Sequence, residues 1–258
     1  MAGAASVAGF LAAVADPKNK LGLHATPATP WYLGQPDFKG DLVPSFYKSG
    51  IRPEHEREVL RDWRQMSAEF APTGALADWQ LLVNAHSAGI PSRIIEWSAN
   101  PLVALFTAVE SLGGEDARVW VLNPWIMNEH TADLLFVPPV DSAYFKGYAV
   151  KLDALDAPAL PEATLPMAFR PMRSSRAYNV QNIFWTVHGK DATPLDKLIF
   201  FMKRADLFLT AIQIETAGKK AIMKELHDIG ITRANLFPGA AGLARTLAYR
   251  YSKNYLGG

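Results

Sequence analysis

The sequence has no cysteine among its 258 residues. That excludes disulfides and thiolate metal sites and fits a reducing, cytoplasmic compartment. It also lacks a surplus of either charge. With 26 basic and 25 acidic residues the net charge is +1, so there is no bulk electrostatic footprint for nucleic acid or an anionic membrane. No apolar run is long enough to span a bilayer. The most apolar stretch, residues 4–15, has no Lys or Arg ahead of it and reads as a core-facing first helix, not a targeting segment. Repeats and low-complexity tracts are missing too. So are the GxxxxGK[ST] loop, a GxGxxG after a strand, HExxH, the Gly-x-Ser-x-Gly elbow and the kinase signature. The six histidines have no pair at helical ligand spacing, so no metal is expected.

What is present is a globular composition, 49% hydrophobic with seven Trp, sufficient to bury a large core. The reading is α+β: a single mixed domain over residues 1–258, with a small twisted mixed sheet flanked by helices. Residues 1–20 form an N-terminal helix and connection, and the core runs from about 30 to 250. The segment from Leu155 to Pro166, with three prolines, reads as a surface loop within that domain. Helices are predicted from Pro53, with Val59, Trp63, Met66 and Phe70 on the inner face, and along Leu76, Trp79, Val83 and His86. A third opens at Asn100-Pro101, and a fourth carries Ile222, Leu226 and Ile229 and ends at Gly230. Strands are predicted at Trp31–Leu33, Arg93–Glu96, Arg118–Leu122, Asn182–His188 and Leu207–Ile214.

The most unusual stretch runs from His86 to Pro101. A helix ends at Gly89, a turn follows at Pro91, and a short strand carries Arg93 and Glu96 on opposite faces. Unpaired burial of a charge costs several kcal/mol, on the order of a lost fold element. Each therefore needs a partner, or one of them faces a cleft. The residues alone leave both readings open, as they leave His86 and Trp97 open between core and site.

The pattern formed by His86, Gly89, Pro91, Ser92, Arg93, Glu96, Trp97, Ser98, Asn100, Pro101, Ala104 and Ala108 is similar to the signature of the FRG-domain family. Trp31-Tyr32-Leu33-Gly34-Gln35 with Leu42-Val43-Pro44-Ser45 resembles that family's opening. Arg176, Gln181 and Phe184 resemble a later element, and Leu236-Phe237-Pro238 its close. The likeness runs from about residue 5 to 250, with two departures: Leu33 stands where the family's Phe-Arg-Gly motif has Arg, and Glu96 replaces the more usual Asp.

The family's layout looks like that of ADP-ribosyltransferases, with an Arg or His on a first strand, Ser/Thr on a second strand followed by a helix, and Gln or Glu on a later strand. The resemblance thus implies an enzyme that takes NAD as substrate, uses no metal, and modifies a nucleic acid or a protein, with a toxin or phage-conflict role. In that reading Glu96, His86 and Gln181 are catalytic. Tyr32, Gln35, Ser92, Arg93, Trp97, Ser98 and Arg176 hold NAD, and residue 33 approaches its pyrophosphate. Arg170, Arg173 and Arg176 form the one local basic cluster near these residues. The rivals are a non-catalytic module binding a nucleotide or partner, favoured by Leu33, and a nucleic-acid hydrolase with Glu96 and His86 as acid and base.

Overall fold

The computed structural model describes residues 3–22, 29–70, 74–154, 159–172, 176–198 and 204–256. Short runs rich in β-branched and aromatic residues form six strands: β1 Trp31–Gln35, β2 Ile94–Ser98, β3 Ala117–Leu122, β4 Met167–Phe169, β5 Ile183–Val187 and β6 Leu209–Ile214. They make one open sheet in the order β4-β5-β2-β1-β3-β6, and every strand pairing is antiparallel.

The middle of the sheet is its thinnest point. β1 pairs with β3 from Trp31 opposite Leu122 to Gln35 opposite Arg118, and β2 pairs with β5 from Ile94 to Ser98. β1 and β2 meet only where Tyr32 lies opposite Ser98. Two three-stranded halves are therefore joined at one register pair.

Alternation along the strands sorts three apolar clusters. On one sheet face Tyr32, Val119, Val121 and Ile212 pack under the helices Val7–Ala15, Pro101–Val109 and Lys219–Asp228. On the same face of the other half, Ile94, Trp185, Val187 and Phe169 pack under the helices Glu56–Met66 and Asp78–Ser87. The opposite face buries Trp31, Ile95, Trp97, Trp120 and Leu122 against the helix Pro124–Ala132. Leu33 joins this last cluster, and β1 continues past it through Gly34.

Gly34 is required by that packing. A Cβ placed there would lie 1.9 Å from the Ala104 carbonyl oxygen and 2.3 Å from Thr107 Oγ1, so the helix Pro101–Val109 rests directly on the strand backbone. Gly34→Ala is expected to lower stability by about 1–3 kcal/mol or more through overpacking. Chemical unfolding compared with the parent protein checks this.

Local chemistry sets the helix ends. Asn100 caps the helix Pro101–Val109 through its side chain, which accepts from Leu102 N–H at 3.0 Å. The helix Asp78–Ser87 ends in a Schellman pair: Ile90 N–H donates to Ala85 O and Gly89 N–H to His86 O, each at 3.0 Å, with Gly89 at φ +96°. Gly230 closes the helix Lys219–Asp228 in the same way.

The first predicted helix needs correction. Met66 and Phe70 are 76% and 81% exposed, whereas Glu56, Leu60 and Ser67 are buried. Trp63 does pack on the core and Val59 is half-buried, but the inner face is turned about one residue towards Glu56, whose buried ion pair, described below, draws it inward. Ile229 is likewise exposed. Of the proline-rich segment predicted as a loop, residues 155–158 lie outside the described residues. Among the described residues no helix is long and apolar enough to cross a membrane.

Candidate functional site

Glu96 sits at the centre of β2 between Ile95 and Trp97, both buried, yet its side chain is 39% exposed. Strand alternation turns it to the face of Ile94 and away from Trp97. His86, in the last turn of the helix Asp78–Ser87, reaches it: Nε2 lies 3.1 Å from Glu96 Oε1. The other ring nitrogen, Nδ1, lies 2.8 Å from Ser92 Oγ, and the ring stands edge-on to Trp185.

The protons in this chain follow from the network. Ile94 N–H donates to Ser92 Oγ at 3.3 Å, so the Ser92 hydroxyl is free to donate to Nδ1. Neutral His86 then carries its hydrogen on Nε2 and donates it to the Glu96 carboxylate. Ser92, itself 2% exposed, is held through its backbone, whose N–H donates to Ser45 Oγ at 3.3 Å while Phe46 N–H donates to its carbonyl at 3.2 Å. The Val43-Pro44-Ser45 segment thus supports the turn that orients His86. The arrangement presents one carboxylate to solvent, fixed by one imidazole of defined tautomer, on a rigid strand.

Arg93 does something else. It is 1% exposed, and its Nε donates to both Glu56 oxygens, at 3.0 and 2.9 Å. Its other nitrogens donate to the carbonyls of His188 and Tyr148. Held 1% exposed by these contacts, the guanidinium is built into the core, and an NAD contact from it would require it to leave Glu56. Glu56 was missed because it lies 37 residues away; its only signal was a glutamate on what proves to be the inner face.

Four further expected contacts are also in the interior. Trp97 is 1% exposed and its Nε1–H donates to Thr186. Tyr32 is 6% exposed, and burial pushes its hydroxyl up to about 12. Gln35 accepts from Trp120 Nε1–H at 2.7 Å and donates to Gly40 O at 2.6 Å, which folds the turn after β1. Ser98 donates to the Gln181 carbonyl and accepts from Asn100 N–H. Gln181 itself is buried, its amide donating to Leu236 O at 2.7 Å. Ser98, Gln181 and Tyr32 therefore do come together, at the register pair joining the two half-sheets, but as a buried junction that ties in the segment at Leu236. As placed here, the Gln181 amide is committed to Leu236 O rather than open to a ligand.

Leu33 alternates with Tyr32 and faces the side of the sheet opposite Glu96, among Trp31 and Trp120. The expectation that residue 33 borders the same site as Glu96 is not met. Arg173 lies outside the described residues, as does the side chain of Arg176; Arg170 is exposed. Among the described residues, no group of three His, Asp or Glu side chains is placed to hold a metal ion.

Residues 29–117 match the family model described as FRG domain, a span that includes β1, β2, His86 and Glu96. No curated protein and no solved structure matches the chain.

Proposed function

Since the chain carries an FRG domain over residues 29–117, we propose that it is an ADP-ribosyltransferase-like enzyme that takes NAD as substrate and presents Glu96 to the reacting ribose. The observation that carries the reading is the exposed carboxylate at the centre of an otherwise buried strand, braced by His86 and, through it, Ser92. The layout lends support. β1, β2 and β5 lie side by side in the order β5-β2-β1, with the helix Pro101–Val109 following β2, while Gln181 ends the helix Arg176–Gln181 just ahead of β5 rather than standing on a strand.

In the proposed step the ribose C1′–nicotinamide bond breaks and its electron pair leaves with the nicotinamide nitrogen. Positive charge develops on the ribose, and the Glu96 carboxylate stabilises it. A nucleophile of the target, a nucleic acid or a protein, forms the new bond to C1′ and loses its proton to Glu96. His86, whose Nε2 lies 3.1 Å from Glu96 Oε1, orients the carboxylate until it takes up that proton. A role as a toxin in bacterial or phage conflict is the biological setting this chemistry suits.

A second reading, a module that binds a nucleotide or partner without turnover, is favoured by one observation. Neither Leu33 nor Arg93 offers a cation beside Glu96. Incubation with NAD and DNA, RNA or cell lysate separates the two. Nicotinamide release supports the enzyme. Calorimetric binding of NAD without release supports the module, and neither binding nor release rejects both.

A further inference from the structure

On the sheet face opposite Glu96 two clefts of about 280 and 570 Å³ adjoin, sharing Arg170 and Phe184 as common wall. The smaller is aromatic: Trp31, Trp125, Phe136 and Phe184 line it. Trp31 and Phe184 stack at 4.6 Å and 19°, and Phe136 is 45% exposed. The larger cleft brings in an exposed carboxylate, Asp141. Trp31 forms the buried floor of this slot, Trp125 and Phe184 are half-buried and Phe136 is exposed, so ring faces meet water along one side.

Arg170 stands where the clefts join. Its backbone is fixed on both sides, N–H donating to Pro138 O and C=O accepting from Val140 N–H, each at 2.9 Å. Its guanidinium is exposed, and no described carboxylate pairs with it. The site therefore combines a ring-lined slot, an uncommitted cation and an uncommitted carboxylate, carried by segments that come together only in the fold.

We infer that this groove binds a nucleotide unit, free or within a single strand, with the base against Phe136, Trp125 and Phe184, the phosphate at Arg170 and the ribose hydroxyls at Asp141. Each part follows from its chemistry. A base stacks on aromatic rings whatever its identity. A guanidinium donates two parallel bonds to a phosphate. A carboxylate accepts from hydroxyls, and the 2′-hydroxyl separates ribose from deoxyribose. An apolar peptide would use the rings but leave both charges unanswered. The groove is separate from Glu96, and its occupation needs no NAD.

The test is titration of the full chain with AMP and with short single-stranded oligoadenylate, in ribo and deoxy forms, without NAD. The ribo-oligomer is expected to bind and to quench tryptophan fluorescence. Arg170→Ala should weaken binding about tenfold and flatten its salt dependence, whereas Phe136→Ala should weaken it about tenfold at unchanged salt slope. Both side chains are exposed, so circular dichroism is expected to match the parent, and Glu96→Gln should bind as the parent does. AMP binding as tightly as the oligomer identifies a free nucleotide as the source; much weaker AMP binding identifies the strand. The inference is overturned if neither ligand binds or if both variants bind unchanged. Equal affinity for ribo and deoxy forms overturns the assignment of Asp141.

Discussion

Arg93→Ala is expected to destabilise the protein by about 3–5 kcal/mol, the cost of leaving a buried carboxylate without its partner. Glu56 is 3% exposed and receives Arg93 Nε–H on both oxygens, so removing the guanidinium strands it away from water. The carbonyls of Tyr148 and His188 lose their donor in the same change. Replacing both partners by apolar residues, Arg93→Met with Glu56→Leu, should cost less than either single truncation, since no charge is then left unpaired. Urea midpoints of the three variants check this order. Glu96→Gln provides the contrast. The Glu96 carboxylate is 39% exposed at the sheet surface, and ion pairs reached by solvent contribute about 0–1 kcal/mol, so that variant, which keeps a hydrogen-bonding side chain of the same shape, should unfold near the parent midpoint.

Stability is also expected to fall by about 3 kcal/mol as pH drops from 6.5 to 4, through His188 alone. The ring is fully buried. Burial pushes its pKa down to about 4, and the nearby Arg93 charge acts in the same direction against the hydrogen bond to the Thr193 carbonyl. Nε2–H donates to that carbonyl at 3.2 Å, while Nδ1 is buried with no partner among the described residues. The unfolded chain takes up a proton near pH 6.5 that the folded chain refuses until about pH 4. The stabilisation is thus complete above the unfolded value and lost as pH falls through the folded one. His188→Gln can still donate to the Thr193 carbonyl but does not titrate. Its unfolding free energy should therefore vary about 3 kcal/mol less than the parent's over this interval, measured by urea unfolding at several pH values.

Features governed by neighbours in the chain were legible in the sequence. Gly89 and Gly230 end helices because a left-handed residue is needed there, and Asn100-Pro101 starts one because the side chain and the fixed φ both suit a first turn. The strands at Arg118–Leu122 and Asn182–His188 were found to within a residue at each end, as β3 and β5. β4 was missed because three residues between Pro166 and Arg170 give alternation nothing to act on. The helix Pro124–Ala132 was missed although Asn123-Pro124 repeats the Asn100-Pro101 signal; its buried residues Ile126, Met127 and Asn128 are consecutive and show no stripe.

Long-range partners decided the rest. Alternation places Arg93 and Glu96 on opposite faces but cannot say which one meets a carboxylate from 37 residues upstream. Burial of Glu56 turned the inner face of its helix by about one residue from the predicted one, which Trp63 still shares, for the same reason. The polar residues Gln35, Ser98 and Gln181 looked like a ligand shell, yet each fastens a backbone turn or junction: polar groups inside a core must be bonded, and carbonyls left by turns supply the partners. The aromatic groove draws on β1, β5 and three other segments, and Arg170 in the basic cluster was its one sequence signal.

The central claim is that Glu96 works at the surface while Arg93 holds the core. Its most direct test is nicotinamide release from NAD by the parent and by Glu96→Gln, each with its urea midpoint measured on the same sample. The account predicts release by the parent, loss of release by at least about 100-fold in the variant, and midpoints that coincide. A variant that unfolds early, or that releases nicotinamide at the parent rate, would contradict it.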